Sequence, residues 1–493
     1  MQVNKATGHC CERPERRRAW PHFRRAGLAG CCLAWAGALP ALDLTPPDWV
    51  DPFAVAAERP PLTEPWRGEA PAPADTAEPL PLPDQPLSLA QLTELALRHH
   101  PKSRQVWAQV AADAAGVGMA KSAYLPTITL TTGFTHLQPI ATSGFSNRIQ
   151  NRYGPALSLS YVLFDFGKRG QELEMADYRL LAAELNRNRV LQDVALDVER
   201  AYYQSQGIAA LVAAAKQSLE SAEASVKTAE AKRASGVATI GDVYRAKTAQ
   251  AQARLTMERA LGEQEKLRGR LANVVGAPVS QTIPLQAWPE VSDNAELLRD
   301  LDGLLQRGKA ARPDLLAAEA QVRAARANVG AVSAQGLPSL EFNASNTCTY
   351  FVENRPDNMS YNIGVQLKVP LFQGFQNTYA VRQSQAQLDK AEASRDQAQR
   401  QIELDVWQAY FDLRTAGEAI DSARSLKTNA ERSVESAQAR YRSGVGTLLE
   451  WLTSEADLAN ARMQDIQARI DWYVNLAQLT HALGGDGELA VVR

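Results

Sequence analysis

Two spacings of apolar residues alternate along the chain. One keeps a three-four beat: Ile208, Val212, Ala215, Leu219, Ala222, Val226 and Ala229. That is a narrow heptad seam, the signature of a coiled-coil helix. Ala234-Ser235-Gly236-Val237 breaks it, and a second seam follows through Val243, Ala246, Ala253, Met257, Ala260, Leu267, Leu271 and Val274. The pattern predicts a helical hairpin over 168–276 whose first helix, at 1.5 Å per residue, is roughly 100 Å long. Upstream, Ser88 opens a shorter helix on Leu89, Leu92, Leu95 and Ala96, which Pro101 interrupts and Ser103 restarts.

The other spacing has period two. Ile128, Leu130, Thr132 and Phe134 alternate with Thr127, Thr129, Thr131 and Gly133. A polar stretch with Asn147, Asn151 and Gly154 separates this run from a second one. There Leu157, Leu159, Tyr161 and Leu163 share a face and Ser158 and Ser160 oppose them. Later, Leu340, Phe342 and Ala344 oppose Glu341, Asn343 and Ser345, and Ile363, Val365, Leu367 and Val369 oppose Asn362, Gly364, Gln366 and Lys368. Strands of about 8 to 10 residues with one apolar and one polar face suit transmembrane β-strands, lipid outside and water inside.

The whole arrangement occurs twice. Ala201-Tyr202-Tyr203 returns as Ala409-Tyr410-Phe411, an offset of 409 − 201 = 208. The same offset carries Ser235-Gly236-Val237 onto Ser443-Gly444-Val445 and Gly276 onto Gly484; Pro101 and Pro126 return as Pro313 and Pro338, an offset of 212. The expected organisation is a leader at 1–38, a Pro-rich extended segment at 39–86, a first repeat at 87–276, a linker at 277–296, a second repeat at 297–484, and a tail at 485–493.

Four strands cannot close on themselves, because small membrane barrels need about eight. Open edges in lipid leave backbone groups unpaired at several kcal/mol each. Three copies of the chain would supply 12 strands; two would supply 8, too narrow for a useful pore. The strands could also be half-buried elements of a soluble sheet, which would make the protein a periplasmic coiled-coil scaffold or adaptor without a pore. Extraction separates the two: salt releases a scaffold, detergent a barrel.

Composition narrows the picture further. Formal net charge is −2 over 493 residues, so nothing points to nucleic acid. Arg16-Arg17-Arg18 and Arg24-Arg25 precede an apolar run from Ala26 to Ala36 and then Gly37-Ala38, the layout of a secretory signal peptide. Leu28-Ala29-Gly30-Cys31 resembles a lipobox, which would make Cys31 a lipidation site, although the apolar run mostly follows Cys31. Past residue 38 only Cys348 remains, which suits an oxidising compartment. Thirteen of the 26 prolines fall within 39–86. No P-loop, nucleophile elbow, dinucleotide fingerprint or zinc-spaced His/Cys set is present, so neither an enzyme, a cofactor nor a metal site is expected.

The strand ends Leu163-Phe164-Asp165-Phe166-Gly167 and Pro370-Leu371-Phe372-Gln373-Gly374, the Ala-Tyr-Tyr/Phe helix motifs, and Gly-Val at both hairpin tips resemble the TolC family of outer-membrane efflux ducts. The resemblance covers about residues 87 to 484. It implies a mainly α fold with transmembrane β: a trimeric 12-stranded β-barrel, four strands per chain, continued by a long α-helical coiled-coil barrel. It implies an outer-membrane exit duct extending into the periplasm, serving tripartite efflux or type I secretion with a periplasmic adaptor and an inner-membrane pump. In that family the periplasmic end is closed near the second hairpin tip. By resemblance Tyr441 is the latch tyrosine, Asp242 its partner, and Glu450 the acidic pore ring; the tips Gly236, Val237, Gly444 and Val445 dock the adaptor. Gly446 replaces a latch arginine of some members, and Thr453 a second acidic position.

Overall fold

The computed structural model describes residues 85–138, 149–287, 300–352 and 356–485. The leader, Cys31 and nearly all of the Pro-rich segment lie outside the described residues. In chain order the elements are α1 (Leu89–His99), α2 (Pro101–Ser122), β1 (Thr127–Leu137), β2 (Gln150–Phe164), α3 (Lys168–Ala234), α4 (Ile240–Val275), α5 (Leu301–Ala311), α6 (Pro313–Ala334), β3 (Ser339–Phe351), β4 (Asn358–Lys368), α7 (Gln376–Arg442) and α8 (Leu448–Ala482). The two halves match element for element, and α3 and α7 are both 67 residues long.

Local chemistry explains the boundaries. Ser88 caps α1 in a reciprocal capping box with Gln91. Pro101 does not merely interrupt the helix, as the sequence suggested; it is the first residue of α2, where its missing N–H costs nothing. Its counterpart Pro313 opens α6 in the same way. Asn151 and Gly154, expected in a connecting stretch, lie inside β2, because Gly133 to Leu137 of β1 pair with them and their neighbours.

The strands form one antiparallel sheet in the order β1-β2-β3-β4, so the two repeats join at β2 and β3. Register aligns like with like. Ile128, Leu159, Ala344 and Ile363 make one row, and Thr129, Ser158, Ser345 and Asn362 the next. Apolar and hydroxyl or amide rows therefore occupy opposite faces of a continuous wall. A bulge between Val162 and Phe164 brings Phe164 opposite Leu340, so Phe164 extends the apolar face.

Below the sheet, both repeats turn into their long helix through two consecutive left-handed residues, Phe166-Gly167 and Gly374-Phe375. A left-handed phenylalanine is strained by about 1–2 kcal/mol. In each case its ring packs edge-to-face on a nearby aromatic, Phe166 on Phe164 at the end of β2 and Phe375 on Phe372 in the turn after β4, which offsets part of that strain.

The main core gathers where entry helices meet hairpins: Leu92, Val194, Val198, Tyr202, Ile402, Val406, Leu413, Trp472 and Leu479 are buried together. A second, smaller core lies at the far end of the hairpins, formed by Val226, Ala229, Val243, Ala246, Tyr441, Leu448 and Trp451.

Candidate functional site at the hairpin tips

Each tip is built by the same devices. The last turn of α3 closes with Val237 N–H donating to Lys232 O and Gly236 N–H to Arg233 O; α7 closes with Val445 to Arg440 and Gly444 to Tyr441. This is the Schellman arrangement, and its left-handed residue is Gly236 (φ +77°) in one tip and Gly444 (φ +81°) in the other. The chain then re-enters a helix through a capping box, Thr239 with Asp242 and Thr447 with Glu450. Val237 and Val445 project from the tips, largely exposed.

Asp242 and Glu450 thus hold the same repeat position, 450 − 242 = 208, and the same local task. Their surroundings differ. The Asp242 carboxylate accepts from Thr239 Oγ1 at 2.8 Å and Thr239 N at 3.0 Å. Those hydrogen bonds hold its pKa below the usual carboxylate value. Glu450 is exposed and lies 3.8 Å from the Arg440 guanidinium of its own hairpin. It borders an open groove with Arg440, Leu449, Thr453 and Ser433.

Tyr441 is buried and stacks at a tilt on Trp451, centroids 5.5 Å apart. Lys232 Nζ sits 3.9 Å from the centre of the tyrosine ring and donates to Tyr441 O. Burial, then the Asp242 charge, raises the Tyr441 pKa. The structure therefore brings Tyr441 and Asp242 near one another, but not into the hydrogen bond that a latch pair implies. Tyr441 Oη is buried and finds no hydrogen-bond partner among the described residues, while the Asp242 carboxylate accepts from Thr239.

The cross-hairpin tie is instead Lys232, which the sequence reading did not single out. The 208 offset that carries Lys232 onto Arg440 was the available signal. Trp451 and Glu455 were also missed. Trp451 Nε1 donates to Glu455 Oε1 at 3.1 Å, and burial raises the pKa of Glu455. Gly446 has a steric reason to stay small: a Cβ there would meet Arg440 Cβ at 2.9 Å. Thr453 lines the groove beside Glu450.

A sheet with an apolar and a hydroxyl-rich face, carried on paired helical hairpins with capped, exposed tips, has the build that a membrane-spanning wall on a long helical stem needs. Comparison with known proteins agrees. A family model described as outer membrane efflux protein matches residues 92–277 and 304–485. Protein CyaE of Bordetella pertussis is 30% identical over 446 residues, covering 89% of this chain and 90% of that one. Outer membrane protein OprJ of Pseudomonas aeruginosa is 27% identical over 416 residues, covering 80% and 84%. Among solved structures, the outer-membrane channel OprN superposes with a TM-score of 0.72 at 23% identity, over 80% of this chain and 90% of that one. The CmeC outer membrane channel of Campylobacter jejuni gives 0.73 at 17%, over 81% and 86%.

The chain belongs to the outer membrane efflux protein family. It is an outer-membrane channel component of an efflux or secretion system, located in the Gram-negative outer membrane and reaching into the periplasm. The soluble scaffold reading is thereby set aside.

Proposed function

We propose that three copies close one barrel of 12 strands through which cargo handed on by an inner-membrane pump and a periplasmic adaptor leaves the cell. One observation carries this reading: a four-stranded sheet, apolar on one face, with β1 and β4 unpaired on their outer edges. In lipid those edges require partners, and only further copies of the same sheet continue the rows of like side chains.

The tips are the adaptor-docking end, with Gly236, Val237, Gly444 and Val445 as the contact. The exposed apolar side chains there, Val237 with Ile240 and Val445 with Leu449, support that assignment. Tyr441, Asp242 and Glu450 belong to the periplasmic gate, Glu450 facing the pore.

Native mass measurement in mild detergent tests the closure. The expected species is a trimer, and a monomer sinks the reading. Planar-bilayer conductance tests the gate: Glu450→Gln should weaken cation preference, and unchanged selectivity would place the gate elsewhere.

A further inference from the structure

The polar face of the sheet carries charge at its two ends and nowhere between. Four successive rows fill its middle, from Thr127–Ser160–Asn343–Gly364 to the row of Gly133 and Gly154. They present hydroxyls, amides, glycine and Ala156, and no ionisable side chain. Next to the helices, Glu341 and Lys368 share that face, one acid to one base. At the end remote from the helices Thr135 pairs with Arg152, and Arg152 with Phe351. That end is not balanced.

The opposite face locates Arg152 in the wall. Phe134, Tyr153 and Tyr350 stand there one position away, the two tyrosine rings 5.5 Å apart. Aromatic rings on the lipid face mark the membrane–water boundary, so Arg152 stands at the outer mouth, level with that boundary. It is exposed, and its guanidinium has no acidic partner among the described residues. Along β3, Glu341 is 351 − 341 = 10 positions from the residue opposite Arg152, about 34 Å. That is more than three Debye lengths at 0.1 M salt. Asp357 stands just before β4; the strand alternation, carried back one residue from Asn358, assigns it to the outward face with Met359.

We infer that Arg152, repeated by each copy around the closed barrel, makes the outer mouth an anion-favouring ring. It draws carboxylate, phosphate or sulfate groups of a cargo towards the exit and hinders cations entering from outside. The low-dielectric wall focuses the field of the three guanidinium groups into the lumen. The uncharged rows below offer cargo only hydrogen bonds, so selection by charge in the barrel is confined to its mouth. This rests on the three-copy closure proposed above and adds to it the class of chemical group that the exit favours.

The test reads the local field with a thiol. The full chain, purified in lipid nanodiscs, carries Cys348→Ser, which removes the free thiol of β3. It also carries either Thr135→Cys, beside Arg152, or Thr129→Cys, in the uncharged rows. Each is treated with an anionic and a cationic methanethiosulfonate, and the ratio of the two rates cancels any change in thiolate content. At 0.1 M salt the anionic-to-cationic ratio at 135 should exceed that at 129. Arg152→Gln should lower it by about threefold or more, Arg152→Lys should preserve it, and 1 M salt should abolish the difference. Asp357→Asn should leave it unchanged. An unaltered ratio in Arg152→Gln, or a rise in Asp357→Asn as large as that fall, overturns the anion-favouring mouth. Native mass is measured on the same samples. Absence of any trimer, or a trimer whose 129 and 135 thiols resist both reagents, overturns the channel reading instead.

Discussion

The two hairpin tips share a backbone and hold it in different ways. Both end in a left-handed glycine, both restart with a threonine cap, and both carry a basic residue ten positions before the acid. In the first tip that base, Lys232, leaves its own hairpin and lies on Tyr441 of the other. In the second it is Arg440, which turns back to Glu450 of its own hairpin. Duplication therefore conserved where the chain bends and let substitution decide which contacts cross between hairpins. Val243 and Trp451 occupy the same repeat position and differ greatly in volume, so the second hairpin supplies most of the packing at the tips.

The largest test of that asymmetry is Trp451→Ala. Trp451 is 1% exposed, and truncating a buried tryptophan costs about 3–5 kcal/mol. Hydrogen exchange should accelerate over 226–246 and 437–452 while the main core stays protected. Val243→Ala, at the equivalent place, removes far less volume; equal acceleration by the two variants would break the comparison.

Next come the bases. Lys232→Gln removes a half-buried cation from an aromatic face, worth about 1–2 kcal/mol, and should loosen one hairpin from the other, read as faster protease nicking at 234–238. Arg440→Gln loses an exposed ion pair worth at most about 1 kcal/mol. It should leave nicking unchanged and instead strengthen the cation preference of the open channel, opposite in sign to Glu450→Gln. Equal nicking in the two variants would mean that Lys232 does not tie the tips.

The acids separate by pH. The raised pKa of Tyr441 favours its neutral form in the folded tip. The resulting stability is fully present below the unfolded tyrosine value of about 10 and is lost as pH rises through the higher folded value. Ultraviolet titration of phenolate should show Asp242→Asn moving that ionisation to lower pH, whereas Glu450→Gln should not move it. The lowered pKa of Asp242 works the other way: its share of stability is present above the unfolded carboxylate value of about 3.9 and is lost as pH falls towards the folded one. Smallest is Thr453→Ala, which alters an exposed groove residue and should stay within about 0.5 kcal/mol and leave selectivity unchanged.

Much of the fold was legible because it depends on short-range periodicity. The heptad seam through Ile208, Leu219 and Val226, the alternation from Ile128 to Phe134, and Pro101 with Pro313 all report local geometry. The position of Asn151 and Gly154 was misread for the complementary reason: a polar strand end looks like a loop until its partner in β1 is known. The site was legible only in part. Gly236 and Gly444 announce helix ends by themselves, and Asp242 and Glu450 stand at a fixed spacing from their threonine caps. Nothing local indicated that Lys232 would reach Tyr441, a contact spanning 209 positions.

By itself, then, the order of residues determined the repeat, the helix and strand periods, the capped tips and the need for further strands from other copies. These follow from backbone hydrogen bonding and from which side of an element is apolar, both readable within a few residues. Only the tertiary structure decided that the repeats join through β2 and β3 and that Asp242 serves its own cap rather than Tyr441. Those outcomes turn on the distance between side chains remote in sequence, and at contact range a shift of one or two ångströms makes or removes a hydrogen bond.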